Sequence, residues 1–115
     1  MTTPWNEEAF SRWQTLRKEL KQYKRAKEYK NIIDTAKEII EISKRAESIK
    51  IMEPLFYKEI GMAHEKMGEK NEAIENYRLA AEGFAAHRKF NEVNKSDDFL
   101  KDIQSLEKKI RKLCE

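Results

Sequence analysis

One cysteine, three glycines and two prolines in 115 residues leave little material for a disulfide framework or a strand-and-turn protein. Cys114 has no intrachain partner, whereas a secreted domain of this size usually depends on disulfide pairs. Only Glu115 follows it, and prenylation needs three residues after the cysteine, so no lipid anchor is expected. No apolar run is long enough to span a bilayer, and no charged–apolar–small leader opens the chain. The expectation is therefore no membrane partner and a cytosolic or nuclear compartment, with the cytoplasm as default. Asn94-Lys95-Ser96 matches the glycosylation triplet, which has no chemical consequence without secretion.

Catalytic motifs are missing too. There is no nucleophile elbow, phosphate-cradling glycine loop or paired-cysteine metal site. His64-Glu65 begins like a zinc protease motif, but the second histidine would fall at Gly68, so the helix offers no two-histidine face. His64 reads as a packing residue, His87 as a surface residue near a helix end, and Cys114 as an unconstrained tail thiol. No metal, no cofactor and no enzyme activity are expected.

What the chain has is charge and helical periodicity. Hydrophobic and charged residues each make up 39%, a balance that suits helices with one buried and one solvated face. Across residues 6–28, Phe10, Trp13, Leu16, Leu20 and Tyr23 recur at three- and four-residue steps, the stripe of an amphipathic helix. A second helix is expected from about Asn31 to Ala46, with Ile32, Ala36, Ile39, Ile40 and Ser43 on one side and its end near Ser48. Glu53-Pro54 fits a helix start, because proline in the first turn loses no hydrogen bond. Gly68 suits a left-handed residue closing that helix after Met67, and Asn71 is a candidate cap for the next. Phe90 and Val93 suggest that this face continues past residue 86. Ser96 and Asp97 then offer caps for a last helix, along which Phe99, Ile103, Leu106, Ile110 and Leu113 form a heptad stripe.

Within residues 54–85, Tyr57, Ile60 and Gly61 stand at a W-x2-L-G spacing and Ala73 and Tyr77 at an A-x3-F spacing. Gly61, Ala73 and Ala80 remove side-chain bulk where two antiparallel helices cross closely. This stretch resembles a tetratricopeptide repeat. His64 in place of the second aromatic and Ala85 in place of the closing proline depart from the family pattern. Setting Ile32 and Ala36 opposite Ala73 and Tyr77 gives a 41-residue offset, longer than the family's usual ~34. The first pair, degenerate over about 13–46, is thus either an elongated repeat or a generic hairpin.

The expected architecture is a single all-α domain over 1–115, with antiparallel helix pairs stacked as a short tetratricopeptide-like solenoid of about five helices. It comprises a divergent pair over about 6–46, the motif over 54–85, and a helix over 96–113 that caps the last repeat or forms a homodimer seam.

Charge is uneven. Between Arg12 and Lys30 there are eight basic residues against Glu19 and Glu28, while the whole chain carries only +3. Arg17, Lys21 and Lys24 form one helical stripe with Arg25 beside it. The resemblance implies that Gln14, Arg17, Lys21, Lys24 and Arg25 line a concave groove, continued by Leu55, Lys58, Met62, Glu65 and Lys66 from the second pair. Such a groove fits a protein or peptide segment that is acidic with one or two apolar anchors, held by an adaptor scaffold. The bland alternative is a solvated helix face. The family's carboxylate clamp is not expected, because Lys21 and Glu59 stand where its asparagines would be. Nucleic acid is the rival partner, given pI ≈ 8.9 and Trp13, Tyr23 and Tyr29 near the basic helix. Trp13 and Tyr23 lie on the apolar stripe, however, and interspersed glutamates oppose a broad polyanion footprint, so this reading is disfavoured.

Overall fold

Two helix hairpins close through the same turn. In the first, Lys27 takes a left-handed φ of 56°, and the Glu28 and Lys27 amides donate to the carbonyls of Tyr23 at 3.0 Å and Lys24 at 3.3 Å. In the second, Gly68 has φ 78°, and the Glu69 and Gly68 amides donate to His64 at 2.8 Å and Glu65 at 3.0 Å. Each is a Schellman ending, in which a residue free to adopt positive φ lets two amides satisfy the last carbonyls of the helix. The two turns are offset by 41 residues, the same offset that aligns Ile32 and Ala36 with Ala73 and Tyr77. Glycine makes this turn without strain, but at Lys27 a Cβ crowds the following carbonyl. Lys27→Gly is therefore expected to raise unfolding free energy by about 1 kcal/mol, read as a higher urea midpoint at unchanged slope. A lower midpoint would show that the lysine makes a compensating contact.

The computed structural model describes residues 4–46, 49, 51–90 and 99–115. Among the described residues there are five α-helices and no strand: α1 (Pro4–Ala26), α2 (Tyr29–Arg45), α3 (Glu53–Lys66), α4 (Lys70–Phe90) and α5 (Leu100–Cys114). The chain is all-α, and among the described residues backbone contact runs only between consecutive helices: α1 with α2, α2 with α3, α3 with α4 and α4 with α5. Boundaries differ locally from those read in the sequence. Asn71 is not the cap of α4; the Ala73 amide donates to the Glu69 carbonyl at 3.0 Å, placing Asn71 in the first turn. In agreement with the reading of Phe90, the fourth helix continues past residue 85 and is described to Phe90. The second ends at Arg45, with Ala46 as its buried C-cap. Ser48, Val93, Ser96 and Asp97 lie outside the described residues.

The core has two parts. One joins Leu16 and Leu20 of α1, Ile32, Ile33, Ala36, Ile39 and Ile40 of α2, and Ile60 and Ala63 of α3. The other joins Ala73, Tyr77, Ala80 and Phe84 of α4 to Leu106 of α5. Tyr57 touches both. At the α3–α4 crossing the tolerance is smallest: a Cβ on Gly61 would lie 2.7 Å from the Tyr77 ring and 3.3 Å from the Ala73 carbonyl oxygen. A second close approach was not evident in the sequence, for a Cβ on Gly83 would meet Pro54 Cγ at 2.5 Å.

The C-terminal stripe is occupied by the chain itself. Leu106 is completely buried against the α4 cluster, with Ile103, Ile110 and Leu113 packed around it. Phe99 is the N-cap of α5 at φ 61° rather than part of the helix, and its ring stacks on Phe84 at 4.9 Å and meets His87 edge-on at 5.2 Å. His87 is thus a half-buried packing residue, not a surface one.

Candidate functional site

Side chains at 100° intervals around α3 divide its surface. Ile60, Gly61 and Ala63 are buried. On one flank Phe56 meets Trp13 of α1 edge-on with centroids 5.7 Å apart, and Glu59 accepts a charged hydrogen bond from Lys24 at 2.8 Å. On the other flank Lys58 lies 4.0 Å from Asp102 of α5. Between these flanks Leu55, Met62 and Lys66 project outward, with Leu55 44% and Met62 37% exposed. α3 is therefore the middle helix of a face whose sides are α1 and α5.

Gln14, Arg17, Lys18, Leu20, Lys21 and Lys24 of α1 and Phe56 of α3 enclose a cleft of about 420 Å³ on this face. Four cations and no carboxylate line it. The predicted residues Arg17, Lys21 and Lys24 are brought together, and Lys18, which the sequence did not single out, joins them. Arg25 is exposed but does not line the cleft. Arg17 lies over the Trp13 ring at 5.1 Å, a cation–π contact that orders the guanidinium while leaving it in water. Among the described residues, Lys18 and Lys21 have no ion-pair partner. Phe10, half exposed, also turns toward this side of α1. It lies about 100° from the inward-facing Ala9, in line with Gln14, Arg17 and Lys21.

The second predicted wall divides. Leu55, Met62 and Lys66 lie on the open face, whereas Lys58 is drawn to Asp102 and Glu65 is engaged by Tyr77. Glu65 Oε1 accepts the Tyr77 hydroxyl at 2.6 Å. Burial first, and then this hydrogen bond, raise the phenol well above its ordinary value. Below about pH 10 the phenol is neutral in both states and its contribution is fully present. Above that, the unfolded chain ionises first and stability falls as pH rises toward the raised folded value. Tyr77→Phe is expected to make the alkaline decline in urea midpoint shallower; an unchanged slope would mean that Tyr77 ionises freely when folded.

The aromatic residues near the basic helix are not open platforms. Trp13, Tyr23 and Tyr29 are half-buried against the first core cluster. Among the described residues no helix is long and apolar enough to cross a membrane. Comparison with protein-family models, with curated proteins and with solved structures found no match to this chain.

Proposed function

We propose that this chain is a non-catalytic, cytoplasmic interaction scaffold of tetratricopeptide-like helix pairs that holds an acidic protein segment against the α1–α3 face. The observation that carries this reading is the cleft in which Arg17, Lys18, Lys21 and Lys24 converge on Phe56 without an acidic lining residue. Exposed Leu55, Met62 and Phe10 beside it supply apolar anchorage, and anchorage of that kind carries most binding energy while the cations steer and orient. The helices that frame the face are fixed by the core, so little ordering entropy is lost by the scaffold on binding.

Lys18 and Lys21 give the cleanest test, because neither supports the fold, whereas Lys24→Glu would set two carboxylates against each other at Glu59. A fluorescent peptide of glutamates flanking one leucine is titrated by anisotropy. Lys18→Glu with Lys21→Glu is expected to weaken binding about 10-fold or more with a change in unfolding free energy within about 0.5 kcal/mol. Wild-type binding is expected to weaken as salt shortens the Debye length from about 30 Å to 3 Å. Equal affinity in wild type and variant would reject the cleft as the binding site.

A further inference from the structure

A second basic cleft borders the same face. On the far side of α3, Ser105, Lys108, Lys109, Lys112 and Leu113 of α5 enclose about 380 Å³ together with Glu65. Glu65 is the one carboxylate there, and it accepts the Tyr77 hydroxyl. Lys109 sits over the Tyr77 ring at 5.6 Å, while Lys108 and Lys112 are exposed and, among the described residues, without an ion-pair partner. The face therefore reads, from α1 across α3 to α5, as cations, then a ridge on which Leu55 and Met62 are followed by Lys66 at the end of α3, then cations.

Building on the proposed function, we infer that the partner is an extended segment with two acidic clusters separated by a short stretch carrying an apolar residue, which lies across α3 with one cluster in each cleft. Charge complementarity fixes the order, since either acidic cluster placed over the ridge would leave its cations unmatched and cover Leu55 and Met62 with polar groups. α1 and α5 flank α3 without backbone contact to it, so each lies no closer than the roughly 10 Å of packed helices, and the cations on α1 and those on α5 are on the order of 20 Å from one another. An extended chain advances about 3.3 Å per residue, which places the acidic clusters about six residues apart. Two linked weak sites then act as one strong site only when the linker matches the span.

The test uses three synthetic peptides: two glutamate triplets about six residues apart with a central leucine, the same triplets about two residues apart, and one triplet with the leucine alone. The wide-spaced peptide is expected to bind about 10-fold or more tightly than either other peptide. Lys108→Glu with Lys112→Glu is expected to reduce its affinity to that of the single triplet, while the single triplet, which keeps the α1–α3 cleft, loses about 2-fold at most. If these α5 changes have no effect on the wide-spaced peptide but Lys18→Glu with Lys21→Glu does, the two-cleft inference is overturned and the α1–α3 cleft stands. If no acidic peptide binds, or neither pair of changes matters, both readings fall. Tighter binding of single-stranded polyuridylate than of the wide-spaced peptide would also overturn the inference, assigning the cations to a phosphate backbone.

Discussion

Leucine at position 61 is expected to break the second helix pair unless Tyr77 is shortened in the same chain. The reason lies in the 41-residue correspondence between the two hairpins, which sets Leu20 opposite Gly61 and Ala36 opposite Tyr77. One pair places bulk on its first helix and a small residue on its second; the other reverses the assignment. A Cβ at Gly61 already falls 2.7 Å from the buried Tyr77 ring, and the remaining leucine atoms have no volume to enter. Overpacking of this kind costs about 3 kcal/mol or more, which outweighs the roughly 1 kcal/mol gained by removing a helical glycine. Tyr77→Ala alone is expected to lose about 3–5 kcal/mol through the cavity it leaves. The double variant Gly61→Leu, Tyr77→Ala rebuilds the arrangement of the first pair and is expected to be more stable than the sum of the single changes by about 1–3 kcal/mol. Urea unfolding followed by circular dichroism measures the cycle. Simple additivity would mean that the hairpins share a turn but not a packing rule.

Leu106→Ala should be the most damaging truncation in α5. The side chain is fully buried among Ala73, Tyr77, Ala80 and Phe84, so its removal is expected to cost about 2–5 kcal/mol, a large share of a stability on the order of 5–15 kcal/mol. The loss should not depend on protein concentration, because the surface that Leu106 covers belongs to its own chain. A homodimer seam would behave differently, with a melting temperature that rises with concentration in the wild type and loses that dependence in the variant. The half-buried positions Ile103 and Ile110 should lose less than Leu106 when truncated.

Much of this arrangement was legible because it rests on residues whose side chains announce a constraint. Gly61, Ala73 and Tyr77 signal a close crossing, Gly68 a left-handed helix end, and Ile103, Leu106, Ile110 and Leu113 a covered stripe. Lys27 takes the same turn as Gly68 but gives no sign of it, since lysine is at home on any exposed helix end. The contact of Gly83 with Pro54 depends on how α3 and α4 cross, which spacing along either helix does not reveal. Phe10 fits the three- and four-residue pattern but is turned outward, because the small Ala9 takes the inward place near the start of α1. In the candidate site, the basic stripe followed from helical geometry alone. The fate of Lys58 and Glu65 did not, because it is set by the position of α5 and by the Tyr77 hydroxyl, both contributed by distant parts of the chain.

The proposed partner, an acidic segment, is held on one face, centred on α3 and bordered by α1 and α5. Amide chemical-shift mapping of the labelled protein, titrated with the wide-spaced acidic peptide, tests it most directly. Shifts are expected to concentrate at Arg17, Lys18, Lys21, Leu55, Phe56 and Met62 and to extend to Lys108 and Lys112, with the exposed α2 positions Asp34, Lys37 and Glu41 unmoved. Saturable shifts confined to α2 and the outer side of α4, or none at all, would contradict it.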